Sequence, residues 1–537
     1  MKGWSGVLGG VAIALLATPV LSLVTSVGEA GINALRLHSE PYNLRGRKIG
    51  IGQVEIGRPP QFRLDNSSPL SATVDVQRVF FRDEGATSND FVDPHASNVA
   101  SVMISQDKNL TGVAPGARLY ASAIGFAERD RQPLECLASQ TVAQQNGGDV
   151  RSINFSFGES LRNDPRPNAT LDGNALLTRC IDWSSVTHDV LYVIAGNQGA
   201  GGIPIPTDHF NGLTVTNSTK IDGEFTKVDY SSLSSEPELI IGGNPELETN
   251  VGRRRSINLV APGTRIQMFN PDGRVIRQTG TSFAAPHVTA TVALLQEWGD
   301  RQLHRNAANW SLDSRNPQVM KAVLMNSADK VEDTGDGLLL GMERTVLTHR
   351  NHTWLESDAY TDETLPLSVD LGTGHLNAYR GYQQFSAGRW APEADVPVIG
   401  WDYSTVAYKS DDHPKYQDYV IGAELQGESF ISVTLAWARH LALVDGNNND
   451  QYDTDESFED SGLNNLNLYL MPVDSDDTDD SLWSSVSEVD SVEHIFYQLP
   501  QTGQYKIRVE YDDQIHDSSQ SYALAWWAKA APITLEE

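Results

Sequence analysis

A serine at the predicted start of a helix is the first residue whose position suggests chemistry. Residues 280–288 read GTSFAAPHV and lead into an Ala-rich apolar stretch, so we expect Ser282 in the first turn of a helix. The unpaired backbone N–H groups and the positive end of the helix dipole favour an oxyanion that develops beside such a turn. Nucleophilic catalysis by Ser282 is one interpretation, and helix capping by the same serine is the other.

Three further segments carry residue types that a nucleophilic serine needs. Residues 93–95 (DPH) precede a predicted helix, Asn197 follows a predicted strand, and residues 152–158 read SINFSFG. In chain order and local sequence, these segments and the one around Ser282 resemble the motifs of the subtilisin-like (subtilase) serine proteases. The resemblance covers residues 30–390.

This resemblance implies a role for each candidate residue. Ser282 attacks the peptide carbonyl, and His95 takes the serine proton and returns it to the leaving amine. The Asn197 side chain and the Ser282 backbone N–H hold the oxyanion. The segment that pairs with an extended substrate as an added strand is formed by Ser156, Phe157 and Gly158. We therefore expect a serine endopeptidase that acts on proteins or peptides and needs no organic cofactor.

The acidic partner of the histidine departs from the family pattern. Glu55 stands where the family has an aspartate followed by a Thr/Ser-Gly pair. One extra methylene moves the carboxylate oxygens by about 1.5 Å unless the backbone compensates, and a misplacement of that size can cost about 100-fold in rate. Asp93 is a second candidate acid, and Ala96 occupies a position where the family has glycine. A catalytically impaired pseudoprotease that binds peptides or surfaces is therefore the alternative function.

A second histidine follows the candidate nucleophile. His287 lies five residues after Ser282. At 100° per residue this places it about 140° around the helix, where it cannot face the same partner. We expect His287 to pack against other elements rather than to take part in catalysis.

Strand-like and helix-like segments alternate between residues 30 and 390. Apolar runs of strand length begin near residues 48, 118, 150, 190 and 213, and helical stretches lie between several of them. Runs that are apolar throughout are typical of parallel strands covered on both faces. We expect an α/β domain with a doubly wound parallel sheet flanked by helices.

The pattern changes beyond residue 395, where strand-like runs dominate and are separated by polar, acidic or Gly/Pro-containing turns. This is typical of an all-β sandwich, which we place at residues 395–537. The segment resembles the β-sandwich domains found C-terminal to secreted bacterial peptidases. Such domains are linked to substrate binding or to stability, and the sequence leaves both open.

Charge and targeting signals narrow the cellular setting. The chain has 40 Lys+Arg against 70 Asp+Glu, a net charge of −30, which makes nucleic-acid binding a poor prediction. Residues 1–26 resemble a signal peptide, so we expect the protein to be secreted, periplasmic or at the cell surface, with an uncleaved membrane anchor as the alternative. We also expect the protein to be a monomer. In an oxidising compartment Cys136 and Cys180 form a disulfide, or each is a buried thiol.

An acidic loop in the predicted sandwich has the spacing of a calcium-binding loop. Its oxygen ligands would come from positions one, three, five, nine and twelve, which are Asp445, Asn447, Asn449, Asp453 and Glu456. Asp450 occupies the sixth position, where glycine is expected. A structural calcium site and a solvated acidic loop are both compatible with this pattern.

Overall fold

The computed structural model describes residues 26–69, 73–126, 131–196, 204–221, 223–228, 250–251, 254–408 and 414–532. The predicted leader therefore lies outside the described residues except for Ser26. The α-helices, in chain order, are α1 (Leu35–His38), α2 (Pro94–Ile104), α3 (Gln132–Ala143), α4 (Gln145–Gly148), α5 (Leu176–Thr187), α6 (Thr281–His304), α7 (Pro317–Asn326) and α8 (Ala378–Ser386). Short 3-10 helices span Leu161–Asn163, Leu312–Arg315, Trp354–Glu356, Asp358–Tyr360 and Thr478–Asp480.

A ten-stranded sheet forms the centre of the first part of the chain. The strands of this part are β1 (Gly50–Glu55), β2 (Val76–Phe81), β3 (Glu84–Gly85), β4 (Arg118–Ala123), β5 (Val150–Phe155), β6 (Glu159–Ser160), β7 (Leu191–Ala195), β8 (Pro204–Ile205), β9 (Leu213–Ile221), β10 (Glu224–Lys227), β11 (Asn250–Val251), β12 (Arg254–Arg255), β13 (Leu259–Pro262), β14 (Ile266–Phe269), β15 (Val275–Gln278) and β16 (Val346–Leu347). The sheet order is β16-β10-β9-β7-β5-β1-β4-β2-β3, and β13 also pairs with β9. The central pairs are parallel, from β2–β4 through β1 and β5 to β7–β9.

Helices cover both faces of this sheet. Along β7, Leu191 and Val193 belong to a cluster that includes residues of α6, whereas Tyr192 and Ile194 belong to a cluster that includes residues of α3 and α5. All residues of β1, β5 and β7 are buried. Burial on both faces explains why these strands are apolar throughout rather than alternating, and the predicted doubly wound α/β architecture is confirmed.

The carboxyl ends of three neighbouring parallel strands meet at one edge of the sheet. Glu55 is the last residue of β1, Ser156 follows β5, and Gly196 follows β7. The chain order reverses beside β1, because β4 pairs on one side of β1 and β5 on the other. Open α/β sheets place their ligand crevice at the carboxyl edge of such a switch point. This edge is where the candidate residues gather.

The C-terminal part consists of antiparallel strands, as the sequence predicted. They are β17 (Ile399–Ala407), β18 (Tyr416–Val420), β19 (Phe430–Trp437), β20 (Leu441–Val444), β21 (Ser457–Asp460), β22 (Asn465–Pro472), β23 (Trp483–Ser485), β24 (Val492–Gln498), β25 (Tyr505–Asp513) and β26 (Ser519–Trp527). Two four-stranded sheets, β17-β26-β19-β24 and β18-β25-β22-β23, enclose an apolar core. Across the described ranges, no helix is both long enough and apolar enough to span a membrane.

One sheet of the sandwich, β17-β26-β19-β24, packs on the α/β part with the face that points away from the sandwich core. Helix α7 packs on β19 and β26, and Trp401 and Ala523 belong to the same apolar cluster as the residues of α6. The Asn326 side-chain oxygen accepts hydrogen bonds from Ser432 Oγ at 2.8 Å and from Thr434 Oγ1 at 3.2 Å. These contacts are buried, so the two parts are joined by a continuous core.

A disulfide and a hairpin strengthen the same junction. Cys136 of α3 and Cys180 of α5 form a disulfide with an S–S distance of 2.07 Å, which settles the alternative that the sequence left open. Tyr452 and Phe458, from the β20–β21 hairpin region, pack with the disulfide and Trp183 in one cluster. The hairpin of the sandwich thus covers the α3–α5 pair.

Candidate active site

A histidine and a glutamate meet at the carboxyl edge of the sheet. His95 is the second residue of α2, and its Nδ1 lies 2.7 Å from Oε2 of Glu55. The Glu55 side chain is 3% exposed, whereas the His95 side chain is 42% exposed. The longer carboxylate therefore reaches the imidazole, and the misplacement that an extra methylene could cause does not occur.

The charges around His95 favour its protonated form. Burial by itself would lower the pKa of His95, but the charge of Glu55 and its hydrogen bond, with the charge of Asp93, raise the pKa above its ordinary value. Since an ionised carboxylate only accepts, the Nδ1–H donates to Glu55, and Nε2 is the nitrogen left to act as a base. An imidazole held this way suits general base catalysis.

Asp93, the second candidate acid, caps the histidine helix. Its Oδ1 accepts a hydrogen bond from the Ala96 N–H at 3.0 Å, and its backbone oxygen accepts from Ser97 Oγ at 2.6 Å. This is the ordinary N-cap role of aspartate, followed here by Pro94 in the first turn. Asp93 therefore orients the helix that carries His95, and Glu55 is the acid that contacts the ring.

Ser282 occupies the first turn of α6, as predicted. The residue before the helix is held against the segment that follows β13, because the Gly280 N–H donates to the Gly263 oxygen at 2.9 Å. A Cβ on Gly263 would lie 2.4 Å from Cβ of Asn217, so only glycine fits there. Thr281 Oγ1 donates to the Gly196 oxygen at 2.7 Å and ties the helix start to the end of β7.

Reciprocal hydrogen bonds join Ser282 to the predicted substrate segment. Ser282 Oγ donates to the Ser156 carbonyl oxygen at 3.2 Å, and Ser156 Oγ donates to the Ser282 carbonyl oxygen at 2.8 Å. The His95 ring lies 5.5 Å from the ring of Phe283, the residue after Ser282. The structure thus brings His95 and Glu55 to the start of the serine helix.

The remaining predicted site residues have different outcomes. Phe157 and Gly158 follow Ser156 at the same edge, are half-buried and belong to no strand. Substrate pairing along them stays a prediction. Asn197, the predicted oxyanion donor, lies outside the described residues, although Gly196 directly before it contacts Thr281.

His287 is a structural residue, as expected. Its Nδ1 lies 2.7 Å from the Phe283 oxygen, its Nε2 lies 3.0 Å from Ser26 Oγ, and the residue is buried. Burial lowers the pKa of His287 to about 4. The ring therefore remains neutral near pH 7 and links α6 to the start of the described chain.

One group among the described residues has metal-ligand spacing. Ligand atoms of Glu55, Asp93 and His95 lie within 4.8 Å of one another. In this group Glu55 already bonds to the His95 ring and Asp93 already caps α2. We therefore assign the group to the orientation of His95 rather than to an ion.

The predicted calcium loop connects β20 and β21 and is organised by its own backbone. The Asp445 carboxylate accepts from the N–H groups of Asn448 at 2.6 Å and Asp450 at 2.7 Å. Glu456 accepts from the Gly446 N–H at 2.8 Å and the Asp453 N–H at 3.0 Å.

Asn447 and Asn449 both donate to Asp453 Oδ2, at 2.7 and 2.9 Å. The predicted ligands thus share one loop, and calcium binding by them stays a prediction.

Gln53 is a residue of the candidate site that no sequence motif marks. It lies in β1, two residues before Glu55, and its Nε2 donates to Glu55 Oε1 at 2.9 Å. A second polar side chain beside Glu55 in a buried strand was the one available signal. Its contact with the Ala96 oxygen depends on the packing of β1 against α2, which the sequence does not specify.

The chain is similar in sequence to known proteases. The Subtilase family model matches residues 64–342, a stretch that begins beyond Glu55 and includes His95 and Ser282. M-protease of Shouchella clausii (strain KSM-K16) is 25% identical over 240 residues, which cover 43% of this chain and 53% of that protein. Subtilisin Savinase of Lederbergia lenta is also 25% identical over 240 residues, which cover 43% of this chain and 76% of that protein. The chain thus spans about half the length of M-protease.

A more distant relative and a solved structure complete the comparison. Thermitase of Thermoactinomyces vulgaris is 22% identical over 241 residues, which cover 45% of this chain and 68% of that protein. The solved structure of the prenylagaramide maturation protease PagA is 23% identical, with a TM-score of 0.42, and the match covers 66% of this chain and 99% of that one. Because the family model covers more than half of the 537 residues, and the matched stretch holds both His95 and Ser282, the chain belongs to the subtilase family.

Proposed function

We propose that the protein is a secreted serine endopeptidase whose catalytic triad is Ser282, His95 and Glu55. The single observation that carries this proposal is the 2.7 Å contact of His95 Nδ1 with Glu55, made beside the start of the serine helix. Family membership supports serine peptidase chemistry. The use of glutamate in the triad is the part of the proposal specific to this chain.

Each triad residue has one task in the proposed reaction. His95 Nε2 removes the proton from Ser282 Oγ, which attacks the scissile carbonyl carbon and forms a tetrahedral oxyanion. The Ser282 backbone N–H and the Asn197 amide hold that oxyanion. The imidazolium, stabilised by Glu55, gives its proton to the leaving amine. Water then attacks the acyl-enzyme by the same route and releases the acid product.

The proposed substrates are proteins or peptides in extended conformation. Ser156 is fixed against the serine helix, so a substrate strand laid along residues 156–158 would bring its carbonyl toward Ser282. Main-chain pairing of this kind reads backbone more than side chains.

The disulfide supports the proposal that the protein is exported. Disulfides persist in oxidising compartments and are rare in the cytosol. The Cys136–Cys180 disulfide therefore fits the leader-like residues 1–26 and a secreted, periplasmic or cell-surface location. The same bridge would be reduced by thiols in a reducing compartment.

Cleavage of an unfolded protein tests the proposed activity. We expect the wild-type chain to cut such a substrate and the variants Ser282→Ala and His95→Gln to lose nearly all of that activity, by about 10³-fold or more. His304→Gln is the matched control, because His304 is an exposed histidine at the far end of the serine helix. It should keep wild-type activity.

The pseudoprotease alternative makes the opposite prediction. It expects no cleavage by the wild-type chain and unchanged peptide binding in Ser282→Ala. Wild-type protein that binds an extended peptide but never cuts it, under conditions where it remains folded, would replace the enzyme proposal with a binding function.

A further inference from the structure

We propose that Gln53 is a positioning residue that holds the Glu55 carboxylate in place beside His95. This inference rests on the proposed function and extends it to a residue that the sequence motifs do not identify. Gln53 Nε2 donates to Glu55 Oε1 at 2.9 Å and to the Ala96 carbonyl oxygen at 2.9 Å. One side-chain amide thus bridges the acid and the residue that follows the histidine.

The strand geometry brings these groups together. Gln53 and Glu55 are two residues apart in β1, so their side chains leave the same face of the strand. Gln53 is 1% exposed, and Ala96 lies in the first turn of α2 and is fully buried. The bridge therefore spans a dry contact between the central strand and the histidine helix.

The chemistry of the partners fixes the orientation of the amide. A carboxylate and a backbone carbonyl only accept hydrogen bonds, so the NH₂ group of Gln53 must face both of them. Gln53 Oε1 is buried and has no hydrogen-bond partner among the described residues. A buried amide with an unsatisfied oxygen is a poor choice for stability alone, because such an oxygen loses its hydration without compensation. The two hydrogen bonds that its NH₂ group donates, to Glu55 and to the Ala96 oxygen, are the feature that the site uses.

A glutamate needs such a device more than an aspartate does. The terminal torsion of a glutamate is soft, and the side chain has one more rotatable bond than aspartate. Here Oε1 accepts from Gln53 and Oε2 contacts His95, so two hydrogen bonds on different oxygens fix the plane of the carboxylate. The next residue, Ile56, has no side-chain donor that could replace Gln53.

Loss of this bridge should change how His95 titrates. The charged groups that act on His95 are Glu55 at the end of β1 and Asp93 at the N-cap of α2. Both raise the pKa of His95 against the effect of burial. If the carboxylate turns away, the Glu55 contribution weakens and the pKa of His95 falls, although the charge of Asp93 still acts on the ring.

Steady-state kinetics of Gln53→Met test the proposal directly. We expect kcat to fall about 10- to 100-fold, with KM within about two-fold, and the acid limb of the pH profile of kcat/KM to move to lower pH. Gln53→Asn keeps an amide but is too short to reach both partners, and we expect the same direction of change. This second variant serves if the apolar one fails to fold.

A buried glutamine elsewhere is the matched control. Gln140 of α3 donates to the Tyr452 carbonyl oxygen at 3.1 Å and accepts from its N–H at 2.6 Å, away from the site. Gln140→Met should lower the melting temperature and leave kcat and the acid limb unchanged. A Gln53→Met enzyme with wild-type kcat and an unmoved acid limb would overturn the proposal.

NMR titration of the His95 ring separates this inference from the proposed activity. The His95 signal is assigned by its absence in His95→Ala. If the wild-type chain does not cut peptides, the proposed function fails, yet a lower His95 pKa in Gln53→Met than in wild type would still support positioning by Gln53. Identical His95 titration in both proteins would contradict it, whether or not the enzyme is active.

Discussion

At the scale of single residues, Glu55 is the proposed triad acid although it is longer than the aspartate of the family pattern. It ends β1 and contacts His95 Nδ1 at 2.7 Å, while Gln53 holds its other oxygen. The end of β1 and the Gln53 amide together place the Glu55 carboxylate within hydrogen-bond distance of His95. An aspartate at the same backbone position would stop about 1.5 Å short.

Shortening the acid should therefore reduce activity rather than restore it. We expect Glu55→Asp to lower kcat/KM by about 10- to 100-fold, because the carboxylate would no longer reach the imidazole. Steady-state kinetics on a peptide substrate check this, with the exposed Glu459→Asp as the matched control. Equal or higher activity in Glu55→Asp would mean that glutamate impairs the site.

The sequence motifs supplied the candidate residues of the proposed site but not the contacts that hold them. Ser282, His95 and Glu55 could be found because each lies in a motif whose chain order matches the family. Gln53 could not, since its function depends on contacts across β1 and α2 that no local pattern specifies. The choice between Glu55 and Asp93 likewise required the distance to His95 Nδ1 and the capping bond to the Ala96 N–H.

At the scale of elements, the serine helix depends on a buried neutral histidine. The pKa of His287 is lowered by burial to about 4, whereas an unfolded histidine titrates near 6.5. Below pH 6.5 the unfolded chain binds this proton and the folded chain does not. The stability contributed by neutral His287 is therefore complete above pH 6.5 and is lost as the pH falls toward 4.

Urea unfolding at several pH values checks this effect. We expect the free energy of unfolding to fall by up to about 3 kcal/mol between pH 6.5 and 4 because of His287, with a further loss from His38, whose pKa burial also lowers to about 4. The fall should be smaller in His287→Gln and unchanged in the exposed control His304→Gln. A pH dependence identical in all three proteins would contradict the assignment.

The acidic loop between β20 and β21 is the element that carries the calcium prediction. An ion that binds only the folded loop stabilises the protein by mass action. If the loop binds calcium, the melting temperature rises with added calcium and falls with a chelator, and Asp445→Asn loses this response. Asp474→Asn, in another acidic turn, is the control. A melting temperature that changes with neither calcium nor chelator would contradict the prediction of a calcium site.

Long buried strands and short strand pairs differ in how well the sequence predicted them. The strands β1, β4, β5, β7 and β9 were predictable because burial on both faces makes them long apolar runs. Short pairs such as β11–β12 and β14–β15 were not, since a strand of two to four residues carries no periodic signal. The Cys136–Cys180 pairing also required the contact between α3 and α5.

At the scale of the whole molecule, the sandwich and the α/β part form one continuous structure. Arg439, two residues after β19, reaches across the junction to the buried carboxylate of Asp182 at 3.4 Å and to the Gly173 oxygen at 2.7 Å. Its side chain is 3% exposed. With the shared apolar cluster, this contact should make both parts unfold together.

Removal of that cation should destabilise the entire chain. We expect Arg439→Met to lower the free energy of unfolding by about 3 kcal/mol, because the buried Asp182 carboxylate would lose the cation that contacts it. Urea unfolding followed by tryptophan fluorescence should show a single transition at a lower midpoint. Arg274→Met, which removes an exposed pair with Asp272, should leave the midpoint unchanged. Two separate transitions, with only one of them shifted, would show that the parts unfold independently.

Covalent labelling of Ser282 reports directly whether His95 and Glu55 activate this serine. A fluorophosphonate reacts with a serine only when a neighbouring base activates it, so intact mass and peptide mapping report the triad without any assumption about substrate. We expect one adduct per chain, on Ser282, absent in Ser282→Ala and strongly slowed in His95→Gln. Folded wild-type protein that leaves Ser282 unlabelled would contradict the proposed catalytic triad.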